Sequence, residues 1–215
     1  MESPEAFPPR PLLRGRLHQL ALLASVVGLV AIVGEAHTTR AEVSAWVYSI
    51  AAILLYGASS TYHVLARSTR ARRICQRIDH SMIYVLIAGT FTPIAVLVVS
   101  DPWRWPILGV MWAGAAIGVS LKVFGFDRFS KVGGALYIIL GWAGLAAFPS
   151  LIHRPGVLAL VVAGGLLYTV GAILFSMQRP RLSPRWFGYH EVWHTLGVTA
   201  GVLLYIANLG LVRVG

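Results

Sequence analysis

Seven runs of mostly apolar residues, each about as long as a bilayer is thick, leave this chain few ways to fold. A spanning helix needs roughly 20 such residues. The runs fall at about 17–36, 42–65, 80–100, 104–123, 132–150, 156–177 and 190–211. Only 12% of the 215 residues are charged, about half the fraction typical of a soluble domain. The expected fold is all-α: one integral membrane domain over residues 1–215, a seven-helix bundle preceded by a tail at 1–16. The opening MESPEAFPPRPLLRGR lacks a short apolar run followed by a small-residue cleavage site, so the first run reads as a retained span. A single cysteine, Cys75, excludes an internal disulfide.

Sides follow from the arginines. If the N-terminus is cytoplasmic, fourteen of the eighteen Lys and Arg fall in inner segments, and only Arg40, Arg104, Arg154 and Arg213 fall outside. The expected orientation is N-in and C-out, in the cell (inner) membrane. The net charge of +10 then belongs to loops that meet anionic lipid headgroups, and nucleic acid is not an expected partner. The basic 66–78 stretch, RSTRARRICQR, reads as such a connector. Trp103, Trp105 and Trp186 fall at span boundaries, as interfacial anchors do. Glycines such as Gly109, Gly114, Gly118, Gly133, Gly134, Gly141 and Gly144 suit close helix packing in lipid. Pro93 should kink the third helix, with Thr90 and Thr92 helping to satisfy freed backbone groups.

With sides assigned, the polar residues gather at one depth. His63 closes the second helix, Asp79 and His80 open the third, and His190 and His194 open the seventh. Two histidines four apart on a helix project from one face and can reach one metal ion. Each group alone has an ordinary reading: an interfacial histidine at a helix end, or an acid pairing with Arg77 or capping helix three. Together they supply the number and kind of ligands zinc takes. His37 and His153 fall in outer loops and His18 at the start of helix one, so these three are not expected to join.

The letters HEVWH also match HExxH, the zinc-protease motif in which Glu191 would be the general base. Such sites need a further ligand downstream. After His194 the chain has no Asp, Glu or His, so the remaining ligand must come from upstream, which points to His63. Glu191 is expected to face away from the two histidines, bonding a neighbour or pairing with Arg185. His80 is expected to be interfacial or to support the ligands from behind.

Ser59-x-x-x-His63, Asp79 and His190-x-x-x-His194, in that order on helices two, three and seven, resemble the hemolysin III proteins. These group with the progestin and adiponectin receptors and, more distantly, the alkaline ceramidases. The resemblance implies a zinc ion held by His63, His190 and His194, a water hydrogen-bonded to Asp79, and Ser59 beside that water. Three imidazoles leave an open fourth position, and zinc lowers the pKa of bound water to about 7. Asp79 would orient that water and take its proton, and Ser59 would donate a hydrogen bond.

The expected function is a zinc-dependent hydrolase acting on a lipid amide or ester at the inner leaflet. The alternative is a non-enzymatic sensor or receptor-like protein of membrane homeostasis, in which zinc clamps three helices. A pore ranks last, since the helices lack a continuous polar face. Three imidazoles also suit copper, nickel or iron.

Overall fold

The second and third helices begin where the sequence offers a capping hydroxyl. The Thr38 side chain accepts from the Ala41 N–H at 3.2 Å and the Ser68 side chain from the Ala71 N–H at 3.1 Å, each satisfying a backbone donor that a helix start leaves open. In the computed structural model, which describes residues 11–124, 130–183 and 185–215 (of residues 130–132 the backbone only), the elements run in order. They are α1 (Arg16–Gly34), α2 (Thr39–Ser60) extended by a π-helical turn (Thr61–Leu65), α3 (Thr69–Leu97) and α4 (Arg104–Val123). Then come α5 (Ser130–Ala143), joined by a 3₁₀ turn (Gly144–Ala147) to the short α6 (Phe148–Leu151), followed by α7 (Pro155–Ser176) and α8 (Tyr189–Val214). Counting α5 to α6 as one span, seven helical segments are long and apolar enough to cross a membrane. Among the described residues there is no strand beyond the isolated bridge between Ser183 and Phe187.

Sequential helices pack side by side: α1 on α2, α2 on α3, α3 on α4 and α7 on α8. Helix α8 returns to touch α1, α2 and α3, so the last span closes on the first three. α2 and α3 are the most buried spans. One core gathers around α3, with Tyr84, Phe91 and Ile94 against Met111, Leu151 and Leu211. A second joins Ile32, Tyr48, Leu55 and Tyr56 to Val212. The outward faces are apolar as well. Leu20, Leu23, Val27 and Val30 along α1 are all more than 60% exposed, a pattern that water would penalise and lipid accepts. This is a multi-pass membrane protein.

One boundary differs clearly from the sequence reading. α3 starts at Thr69 rather than at 80, so most of the basic 66–78 connector is three helical turns rather than loop. A hydropathy criterion registers only the lipid-length part of a helix. Arginine is a good helix former, and Ser68 supplies the cap. α3 also continues through Pro93. Thr92 Oγ1 donates to the Ala88 carbonyl at 2.9 Å and Asn208 Nδ2 to the Thr90 carbonyl at 3.2 Å, the second bond tying α8 to α3.

The glycines divide. A Cβ on Gly144 would stand 1.8 Å from the Phe91 ring and one on Gly118 2.5 Å from Tyr84, so both permit close approach to α3. Gly109, Gly134 and Gly141 face open space. Trp103, Trp105 and Trp186 are all at least half exposed. Arg10 and Arg128 lie outside the described residues. At the end of the bundle away from the histidines, Arg213 pairs with Glu35 at 3.0 Å, holding the Glu35 carboxyl below its ordinary range by a hydrogen bond and by charge.

Candidate metal centre

His63 sits in a π-helical turn, not in regular α-helix. The Ala66 N–H reaches back five residues to the Thr61 carbonyl at 3.0 Å, and α2 ends there as Ala66 turns extended. Wide turns of this kind recur at functional sites because they re-aim one side chain. His190 and His194 occupy the first turns of α8, whose start is capped by its own side chain: Glu191 Oε2 accepts from the Gly188 N–H at 2.7 Å.

The two segments meet. His63 Nε2 and His190 Nε2, 127 residues apart in sequence, are 3.2 Å apart. Ring centroids are separated by 4.8 Å for His63 and His190, 4.9 Å for His63 and His194, and 4.7 Å for His190 and His194. One nitrogen from each ring lies within 4.8 Å of the other two. Nitrogen ligands about 2.0–2.1 Å from a tetrahedral zinc stand roughly 3.3 Å from one another. The His63–His190 pair, at 3.2 Å, has that spacing, and three imidazole nitrogens gathered within 4.8 Å are a donor set suited to a divalent ion of that kind. His63 and His194 are buried and His190 is partly so. The Phe175 ring stands at 71° to the His190 ring, centroids 5.1 Å apart, and adds an apolar wall.

Asp79 comes from α3. Its Oδ2 is 3.8 Å from His63 Nε2, too far for a hydrogen bond but close enough for both to contact a small group between them. The Ser59 hydroxyl, one turn before His63 on α2, lies beside the Asp79 carboxyl. Asp79 stands ten residues into α3, so it does not cap that helix. Its carboxyl faces the histidines.

His80 does not enter the three-histidine group. Its backbone carbonyl accepts from the Tyr137 hydroxyl at 2.9 Å. Glu191 turns away from the two histidines, as expected of its helical position. Its partner, however, is Arg14 and not Arg185. With one oxygen on Arg14 and the other on the Gly188 N–H, and 1% exposed, Glu191 is occupied as a helix cap and buried ion-pair partner. That is no setting for a protease general base.

Three residues beside the site are not foreseen as its neighbours by the sequence reading. His18 stays outside the three-histidine group, as expected of a residue at the start of helix one, but it is not remote from it. Its ring is in fact stacked on that of His194, centroids 3.9 Å apart and planes 9° apart. The physical reason is the closure of α8 on α1, which nothing local encodes. Arg14 crosses from the segment before α1 to Glu191. Between them Gly15 adopts φ +81°, where a Cβ would stand 2.7 Å from His63 Cβ, so this position requires glycine on two counts. The Leu12 N–H bonds the Arg185 carbonyl at 2.9 Å. Residues 12–18 therefore lie across the site as a strap and are not a free tail.

Next to the strap, between α1, α2, α3, α7 and α8, lies a cavity of about 230 Å³ lined by Ala21, Ala52, Tyr56, Tyr168, Leu204 and Tyr205 among others. Tyr56 links it to the site, since its ring stands at 75° to that of His18, centroids 5.2 Å apart.

Comparison with known proteins agrees with this architecture. Residues 8–205 match the family model described as haemolysin-III related. The chain is 30% identical over 197 residues to Hemolysin-3 of Bacillus cereus, covering 89% of this chain and 87% of that protein. It is 29% identical to the Hemolysin-3 homolog of Bacillus subtilis, covering 89% of each. A more distant similarity, 22% identity over 88% of this chain and 79% of the relative, is to the human monocyte to macrophage differentiation factor. With a match running from before the first span into the last, the chain belongs to the haemolysin-III related family.

Proposed function

We propose that this protein is a zinc-dependent hydrolase of a membrane lipid amide or ester, with His63, His190 and His194 as the metal ligands. The observation that carries the proposal is the approach of three imidazole nitrogens, from two helices distant in sequence, to within 4.8 Å of one another. A closed structural site would use four protein ligands; three leave a position for a reactant. When bound, zinc would supply Lewis acidity and acidify a water at that position.

The chain's own residues have distinct roles in this reading. Asp79, 3.8 Å from His63 Nε2, orients the attacking water and accepts its proton. Ser59, fully buried beside Asp79, donates a hydrogen bond to the oxygen on which negative charge develops. The apolar cavity beyond Tyr56 suits a hydrocarbon chain, which favours a lipid over a soluble substrate. The site would face the inner leaflet of the cell membrane, with the N-terminus cytoplasmic, and the arginines of α3's first turns would meet anionic headgroups.

The test is fatty-acid release from ceramide and phospholipid by purified protein, with and without chelator, beside Asp79→Asn. Turnover that chelator and Asp79→Asn both abolish supports the proposal. A zinc-loaded protein that releases fatty acid from neither class counts against it.

A second reading is favoured by one feature: the ligands join α2 to α8, the helix that closes the bundle, so an ion there could clamp the fold of a non-enzymatic sensor. His194→Ala separates the two. Loss of turnover at unchanged melting temperature indicates catalysis; collapse of the fold indicates a clamp.

A further inference from the structure

We propose that His18 is a positioning residue of the three-histidine site, holding the His194 ring in its ligating orientation by face-to-face stacking. The inference rests on the metal-site reading above and extends it to a residue outside the ligand set.

Helix α1 buries only three residues, His18, Ala21 and Ile32, while most of its other side chains face outward. An imidazole is a costly choice for one of so few inward positions in a membrane span. Its placement does not follow from a polar anchor on Nδ1, which is buried without a hydrogen-bond partner among the described residues. It follows from the ring's two contacts, flat on His194 and edge-on to Tyr56. A metal-ligating imidazole must be fixed in rotation as well as position, and a hydrogen bond from outside the ligand set ordinarily does this. Here a parallel ring covers one face of the ligand and limits its rotation.

The strap fixes His18 in turn. Arg14, four residues before it, is paired with Glu191 of α8, three residues before His194. Gly15 is seated against His63. The stack is thus registered on both ligand-bearing segments.

Two substitutions separate the flat ring from mere bulk. His18→Phe keeps a flat face without nitrogens; His18→Leu keeps similar volume without a flat face. Metal-stripped, full-length protein in detergent is titrated with Co²⁺, reading the dissociation constant and the visible absorption bands that report ligand geometry. Melting temperature is followed in parallel. His18→Leu is expected to weaken Co²⁺ binding about tenfold, as losses of ligand-supporting groups do, and to shift the bands. His18→Phe should stay close to wild type in both. If His18→Leu matches wild type in affinity and spectrum, or His18→Phe is as impaired as His18→Leu, the stacking role is overturned. A wild-type protein whose Co²⁺ spectrum does not depend on His63 overturns the metal-site reading itself. His63-dependent binding with an unchanged His18→Leu overturns the role of His18 alone.

Discussion

Arg14 and Glu191, 177 residues apart, form an ion pair in which the carboxylate is 1% exposed and the guanidinium 18%. The asymmetry matters because the more buried partner suffers more when left alone. Removing one member of a buried pair costs about 3–5 kcal/mol. Arg14→Ala should approach that range, because it strands Glu191. Glu191→Gln should cost less, since the amide oxygen can still accept from the Gly188 N–H and Arg14 retains some solvent. Chemical denaturation of the two variants in detergent checks the order. Glu191→Gln should also leave zinc content intact, whereas a protease-type general base would lose all turnover on that change.

Metal should stabilise the fold through residues on distant helices. At free zinc a hundredfold above the dissociation constant, mass action contributes about 2.7 kcal/mol. Wild-type protein should therefore melt higher with zinc than with chelator. His63→Ala, which lies on neither the strap nor α8, should lose both the response and the bound metal. Elemental analysis beside thermal melting tests this, and equal metal content in wild type and His63→Ala would refute a shared ion.

Asp79→Asn is expected to keep its metal and lose turnover. Loss of a positioned general base lowers rates by roughly 10²–10⁴-fold. The amide is nearly isosteric, so metal content and melting temperature should hardly change. A variant that hydrolyses lipid as fast as wild type would remove Asp79 from the chemistry.

Gly15→Ala should destabilise the protein by about 1–2 kcal/mol for the left-handed backbone alone, and overlap with His63 adds to this. Since the added methyl pushes on a proposed ligand, zinc affinity should fall along with the melting temperature. A Gly34→Ala control, where a Cβ meets nothing within 4 Å, should change neither.

The seven spans could be read from the sequence because a lipid-length apolar run has one stable outcome, a helix with its backbone bonds satisfied internally. The convergence of His63 with His190 and His194 was likewise foreseeable: alternating spans return every second loop to the same side. What local patterns could not supply were contacts made by closure of the bundle. His18 looks like one more residue of an apolar helix until α8 packs against α1. Arg14 looks like one of many tail arginines until Glu191 arrives. The early start of α3 was hidden because its charged turns carry no hydropathic signal. The π turn at His63 leaves no mark in the sequence at all.

That turn means α2 holds one residue more than a regular helix of the same rise. Each residue of an α-helix advances its direction by about 100°. Excising Thr61 or Tyr62, the two residues of the turn before His63, would let the helix relax to its common form and swing the imidazole away from α8. The capacity of this bundle to gather its histidines thus depends on a surplus of one amino acid, and a lineage that lost it would keep seven spans and all three imidazoles yet lose their convergence.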